Sequence, residues 1–158
     1  HEDLQGVDVS GRDDEEHFLR WDITGYDHGT HITGTIAAQD NEVGVVGVAP
    51  EVSIYMVRVL SDSGNFTASD LVEAMSSCYE AGADIINISI VGFSSSSAER
   101  NYVQRLRSLG VMVVAASGNY GQYGYFFLYP ASYQDVVSVG AVDKEKRIAP
   151  FSTYNLFV

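Results

Sequence analysis

The sequence predicts an α/β architecture: three layers, αβα, with a mostly parallel sheet in the middle. Three observations predict it. Apolar segments of strand length alternate with segments of helical period, and the links between them are short. The segment 111–116, Val-Met-Val-Val-Ala-Ala, is continuously apolar, the pattern of a strand covered on both faces. Strand and helix in this order imply parallel pairing through right-handed crossovers. Ligands in such folds bind beyond the carboxyl ends of the strands.

After a polar, acidic opening, residues 28–38 are small and apolar, which predicts a buried helix with His28 in its first turn. Its small residues let it lie close against the sheet. Residues 52–59 read as a strand. A helix is predicted over 68–81, with Thr67 as N-cap, Asp70 three residues on and Gly82 as terminator. Leu71, Met75 and Cys78 fall on one face of it. Residues 84–90 read as a strand, 98–109 as a helix closed by Gly110, and 111–116 and 136–142 as two more strands.

With 158 residues and 46 % apolar content, the chain has enough to fill one core. A net charge of -12 argues against nucleic acid or an anionic membrane as partner. The run Asp13, Asp14, Glu15, Glu16 reads as a solvated loop. The single cysteine, Cys78, excludes an internal disulfide and reads as a small buried hydrophobe. No apolar run is long enough to cross a bilayer. There is no signal-peptide pattern and the first residue is His1, so an internal piece of a longer protein is expected.

Chemistry concentrates at His28, in His-Gly-Thr-His31, and at Asn119, in Ala-Ala-Ser-Gly-Asn119. An imidazole at a helix start can serve as a base, and a carboxamide after a buried strand can serve as an oxyanion donor. Neither is decisive alone, since histidines at helix starts and asparagines in turns are more often structural. His28 and His31 share a helix face, yet zinc needs a third protein ligand, and no HExxH or CxxC partner is present. The glycines fit neither GxGxxG nor GxxxxGK[ST], which removes a nucleotide-binding reading.

Four blocks in register carry a resemblance. HGTHITGTIAAQDNEVGVVGVAP resembles the histidine block of the subtilisin-like serine proteases (peptidase S8), and IINISI their substrate-binding strand. VMVVAASGN resembles their oxyanion block, and YPASYQDVVSVGAVD the segment after it. The resemblance implies an Asp-His-Ser endopeptidase in which His28 is the general base and Asn119 the oxyanion donor. His31 is left as a core histidine. Ser89, Ile90 and Val91 would form one wall of the specificity pocket, and Ala115, Ala116, Ser117 and Gly118 the other. Val91 stands where family members carry glycine, which puts a large aromatic P1 preference in doubt. Leu60 and the loop at Gly64, Asn65 and Phe66 would touch residues further along the substrate. Tyr129-Pro130 resembles a cis position of the family.

The resemblance also implies a structural Ca2+ site, with Asp3, the backbone carbonyls of Gln39, Val43 and Val45, and the side chain of Asn41. A solvated polar loop is the alternative. Two further parts of the machine are missing. The family's aspartate block would precede His1 and its Gly-Thr-Ser-Met-Ala block would follow Val158, with Phe151, Ser152 and Thr153 resembling an intermediate block. Asp8, in Asp-Val-Ser-Gly11, lacks a preceding apolar strand and reads as a loop residue. Residues 1–158 are thus expected to be a partial subtilisin-like peptidase domain, inactive alone because no serine is there to form an acyl-enzyme. Protein or peptide substrates, an inhibitory propeptide, a monomeric state and a secreted or extracellular location are implied; no nucleic acid or membrane partner is. A non-catalytic binding module on the same fold is the alternative. Asn65-Phe-Thr67 is a glycosylation sequon on an expected surface loop, usable only if the chain is secreted, whereas Asn87-Ile-Ser89 is discounted as part of a buried strand.

Overall fold

The computed structural model describes residues 1–12, 20–23, 27–61 and 63–158; the acidic run 13–16 lies outside them. The chain divides into two compact units, His1–Asp70 and Leu71–Val158.

In the first unit, β1 (Val9–Gly11) pairs in parallel with β2 (Ile54–Met56), Val9 opposite Ile54 and Gly11 opposite Met56. The ladder is shorter than residues 52–59 because β1 offers only three partners. A side chain at Gly11 would overlap the Trp21 ring and the Met56 carbonyl, so glycine lets the two strands and the indole meet. Helix α1 (His28–Ala37) starts with His31 N–H donating to the Asp27 carbonyl at 2.9 Å. Its buried positions are Thr33 and Ala37, one turn apart. Thr33 Oγ1 donates to the Gly29 carbonyl at 2.8 Å and lies 3.5 Å from Met56 Sδ. The helix therefore buries one stripe and not its whole circumference. His31 lies off that stripe and is exposed, which corrects its reading as a core residue.

The far end of α1 is closed by backbone alone. Helix ends leave carbonyls without intrahelical donors. Here the carbonyls of Thr35, Ile36 and Ala38 accept from Val48 N (3.1 Å), Ala49 N (2.7 Å) and Gly47 N (2.9 Å). A Cβ on Gly47 would overlap the backbone of Ile36, Ala37 and Ala38, so only glycine allows this close a crossing.

Helix α2 (Ala68–Glu80) opens with a reciprocal cap. Asp70 N–H donates to Thr67 Oγ1 at 3.2 Å and Thr67 N–H to Asp70 Oδ2 at 2.8 Å, as the Thr67 and Asp70 spacing predicts. It ends at Gly82, with φ +89, where Ala83 N–H reaches back to the Cys78 carbonyl at 3.0 Å. Leu71, Ala74 and Met75 are buried, Cys78 is half-buried, and burial pushes its thiol up to about 11. The thiol stays protonated, consistent with a packing role.

The sheet of the second unit runs β3 (Ile85–Ile88), β4 (Met112–Ala116), β5 (Val137–Val139), all parallel. Ile86, Ile88, Val113 and Ala115 point to the buried face. Alternation sends Ile85, 61 % exposed, and Met112, 50 % exposed, to the other face with Val137 and Val139. On β4 Val113 and Ala115 are buried, Val114 and Ala116 half-buried and Met112 exposed. Asn87 shares the open face and is exposed, which corrects the ground for discounting its sequon. Among the described residues no helix is long and apolar enough to cross a membrane.

Helix α3 (Ser97–Ser108) packs against β4. Ser96 Oγ caps it by accepting from Glu99 N at 3.4 Å, and Glu99, Val103 and Leu106 are its buried face. Gly110, with φ +88, follows its end. The buried Glu99 carboxylate accepts from the Tyr133 hydroxyl at 2.7 Å, and that hydroxyl accepts from Ser96 N–H at 2.8 Å. Burial raises the Glu99 carboxyl, the Tyr133 hydrogen bond acting against it. Burial is also the first cause that pushes the Tyr133 phenol up to about 12. The Tyr129-Pro130 peptide is cis, as expected.

The unfolded tyrosine loses its proton near its ordinary value of 10.0 and the folded one near 12, so in that window the unfolded state binds fewer protons. The stability this contributes is whole below the lower value and is lost as pH climbs to the upper one. Thermal melts from neutral to alkaline pH should show Tm falling through this window, and Tyr133→Phe should flatten the fall. An equal slope in the variant would exclude Tyr133 as its source.

Candidate active site

His28 and Asn119 belong to the first and second unit respectively. As the first residue of α1, His28 projects from a helix N-terminus, and it is exposed. Among the described residues its ring nitrogens have no hydrogen-bond partner. An imidazole so placed is free to exchange a proton with a group brought to it.

Asn119 follows β4 at the apex of a tight loop. Gly118 before it adopts φ +100, a conformation that disfavours any side chain. The backbone on both sides is tied to one distant segment. Gly118 O accepts from Thr153 N at 2.9 Å, Tyr120 N donates to Thr153 Oγ1 at 2.9 Å, and Gly121 N donates to Phe151 O at 2.9 Å. Ser117 is buried, with N–H donating to Val139 O and Oγ to Thr153 O, each at 2.9 Å. Among the described residues the exposed Asn119 carboxamide has no partner. A fixed backbone carrying an uncommitted N–H donor is what stabilisation of a developing oxyanion requires.

The two expected pocket walls stand together in the second unit. Ser89, Ile90 and Val91 continue from β3, and Ala115, Ala116, Ser117 and Gly118 lie along and beyond the end of β4. Ser117 faces inward, so its contribution to a wall is backbone. Gly92, next after Val91, and Tyr129 form an antiparallel bridge with bonds of 2.8 and 2.9 Å. Tyr120 sits edge-on to Phe93, ring centres 5.0 Å apart.

The expected calcium ligands gather in the first unit. Asp3, in the 3-10 turn Glu2–Leu4, is buried; Gln39 N donates to its backbone carbonyl at 3.0 Å and Val45 N to its Oδ2 at 3.3 Å. Asn41 Oδ1 accepts from Val43 N at 3.1 Å, curling the loop. Glu42 and Gly44 both have positive φ, and a side chain at Gly44 would overlap the Asp3 carboxylate. Asp3 Oδ1 is buried with no hydrogen-bond partner among the described residues. An orphaned carboxylate oxygen facing a curled, carbonyl-rich loop fits a hard cation. Asp8, by contrast, is exposed and accepts from Ser53 Oγ at 2.7 Å, a loop contact as expected.

Comparison with known proteins bears on both halves. The Subtilase family (Peptidase_S8) model matches residues 8–157. The chain belongs to the subtilase family. Subtilisin DY of Bacillus licheniformis is 44 % identical over 135 residues, 84 % of this chain and 49 % of that protein. The thermophilic serine proteinase of Bacillus sp. strain AK1 is 38 % identical across 100 % of this chain and 39 % of its own length. The crystal structure of the psychrophilic subtilisin-like protease Apa1 from Pseudoalteromonas sp. AS-11 superposes with a TM-score of 0.91 at 39 % identity, covering 100 % of this chain and 37 % of that one. The chain thus spans about half or less of these relatives. The expected subtilisin-like α/β class holds.

The sequence of this subtilase marks Thr153 only as part of an intermediate block, and Leu128 not at all. Thr153 ties the Asn119 loop, and Leu128, fully buried, lies against Gly118. A Phe-Ser-Thr block after the last strand was a signal for the first; nothing local marked the second. Thr153→Val should strand the Tyr120 N–H and cost about 1–3 kcal/mol. At roughly 2–4 °C of Tm per kcal/mol for a chain of this size, calorimetry should resolve it, with Thr153→Ser losing less. Equal melting of both variants and the parent would show that the hydroxyl bonds nothing of consequence.

Proposed function

We propose that this chain is the central part of a serine endopeptidase domain, contributing the base His28 and the oxyanion donor Asn119 to a longer protein that hydrolyses protein or peptide substrates. The Asn119 loop carries the reading: a carboxamide with no partner among the described residues, on backbone tied by Thr153 and Phe151. In this mechanism His28 takes the proton from a serine hydroxyl outside these residues as it attacks the scissile carbonyl. The carbonyl oxygen gains negative charge and accepts from the Asn119 amide; His28 then returns the proton to the leaving amine. The substrate backbone would pair along Ser89, Ile90 and Val91 as an added strand. An inhibitory propeptide, a monomeric enzyme and a secreted location go with this reading. The sequon residue Asn65 is exposed, as glycosylation requires.

A phosphonofluoridate probe should label the full-length protein and leave residues 1–158 unlabelled. His28→Ala in the full protein should lower kcat at least about a thousandfold, since triad members act as a unit, while the circular dichroism spectrum is kept. Near-normal hydrolysis by that variant would remove His28 from the reaction.

We also propose that calcium is held by Asp3, Asn41 Oδ1 and the carbonyls of Gln39, Val43 and Val45. When bound, the ion supplies positive charge between the 3-10 turn and the loop after α1. Asp3 would keep its carboxylate buried without an unmatched lone pair. A chelator should lower Tm in the parent and leave Asp3→Asn unchanged, while Asp3→Asn melts lower than the calcium-loaded parent. A chelator effect of equal size in both would place the ion elsewhere.

A further inference from the structure

The space between the two walls of the specificity pocket is already occupied by the protein's own side chains. A methyl group placed on Gly118 would overlap Leu128 Cδ1, and would stand 3.2 Å from Thr153 Oγ1 and 3.6 Å from Val91 Cγ1. Three side chains from three segments therefore converge on the bare face of Gly118. Val91 Cγ1 comes within about 5 Å of the Gly118 backbone, allowing one bond length of about 1.5 Å for the absent Cβ. An aromatic ring held between two walls needs carbon–carbon contacts of 3.5–4.0 Å on each side, or about 7 Å of clearance.

The plug is also fixed in place. Leu128 and Thr153 are both 0 % exposed. The Gly92 and Tyr129 bridge holds the chain carrying Leu128 against the chain carrying Val91. Thr153 is bonded through N–H, Oγ1 and carbonyl to Gly118, Tyr120 and Ser117. Opening the slot would break these bonds and expose a buried leucine, so a substrate side chain has little means of prising it apart.

We infer that Val91 and Leu128 close this pocket to bulky side chains, so that the enzyme cleaves after residues with small side chains: glycine, alanine and serine. The inference rests on the endopeptidase reading above and names the substrate class of the same site. Val91 sets the width between the walls and Leu128 sets the depth.

The test uses the full-length protein and a peptide series differing only at P1, read by mass spectrometry. Cleavage after alanine should exceed cleavage after phenylalanine, tyrosine or leucine by at least about 100-fold in kcat/KM, a difference of the size pocket exclusion gives. Val91→Gly should raise the phenylalanine-to-alanine ratio at least tenfold. Leu128→Ala should raise it independently, covering the chance that either variant folds poorly. A protein labelled by the serine probe that cleaves after phenylalanine as readily as after alanine, or that cleaves neither, overturns the pocket assignment alone. A protein that the probe does not label overturns this inference together with the reading beneath it.

Discussion

Thr153 is the point on which the loop carrying Asn119 in the second unit depends. It is wholly buried and spends three of its polar groups on the chain around Asn119: its N–H on Gly118, its hydroxyl on Tyr120, its carbonyl on Ser117. Each bond alone contributes modestly, since folding exchanges hydrogen bonds with water for hydrogen bonds within the protein. Together they hold one residue without touching it. The backbone around Asn119 cannot relax toward solvent while its neighbours are tied. In the proposed reaction a donor carried on such a backbone would meet developing charge with little movement of the main chain.

The first unit solves a different problem by related means. Helix α1 presents His28 at its start, and the chain leaving its other end folds straight back to satisfy Thr35, Ile36 and Ala38. That return path forms the curled loop at Asn41, Glu42 and Gly44 and brings it over Asp3. The loop that would seat a cation and the closure of the histidine helix are thus one continuous piece of backbone. Disturbing the loop disturbs the support of the helix that carries the imidazole.

Much of this was legible in the residues. The reciprocal Thr67 and Asp70 cap, the Gly82 and Gly110 stops and the start of α1 at His28 are local chemistry, which a sequence states directly. The family blocks pointed to His28 in the first unit, Asn119 in the second, and residues 89–91 and 115–118, which continue from or lie along and beyond two paired strands. What was not legible depends on distant pairing. Strand ends followed the short partner and not the apolar run, as at β2. His31 and Asn87 are exposed where the sequence suggested burial, because each points away from the buried stripe of α1 or the buried face of β3. Leu128 and Thr153 meet Gly118 from separate segments of the chain, and neither the block that contains Thr153 nor the residues around Leu128 encode that meeting.

The half-buried cysteine of α2 has a practical consequence. With burial pushing its thiol up to about 11, Cys78 stays protonated at neutral pH, and the ionised form is the one that reacts with peroxide or alkylating reagents. The native thiol is thereby a quiet background. A second cysteine introduced on an exposed loop would be modified far faster, so a dye or spin label can be attached at a chosen point with Cys78 left in place.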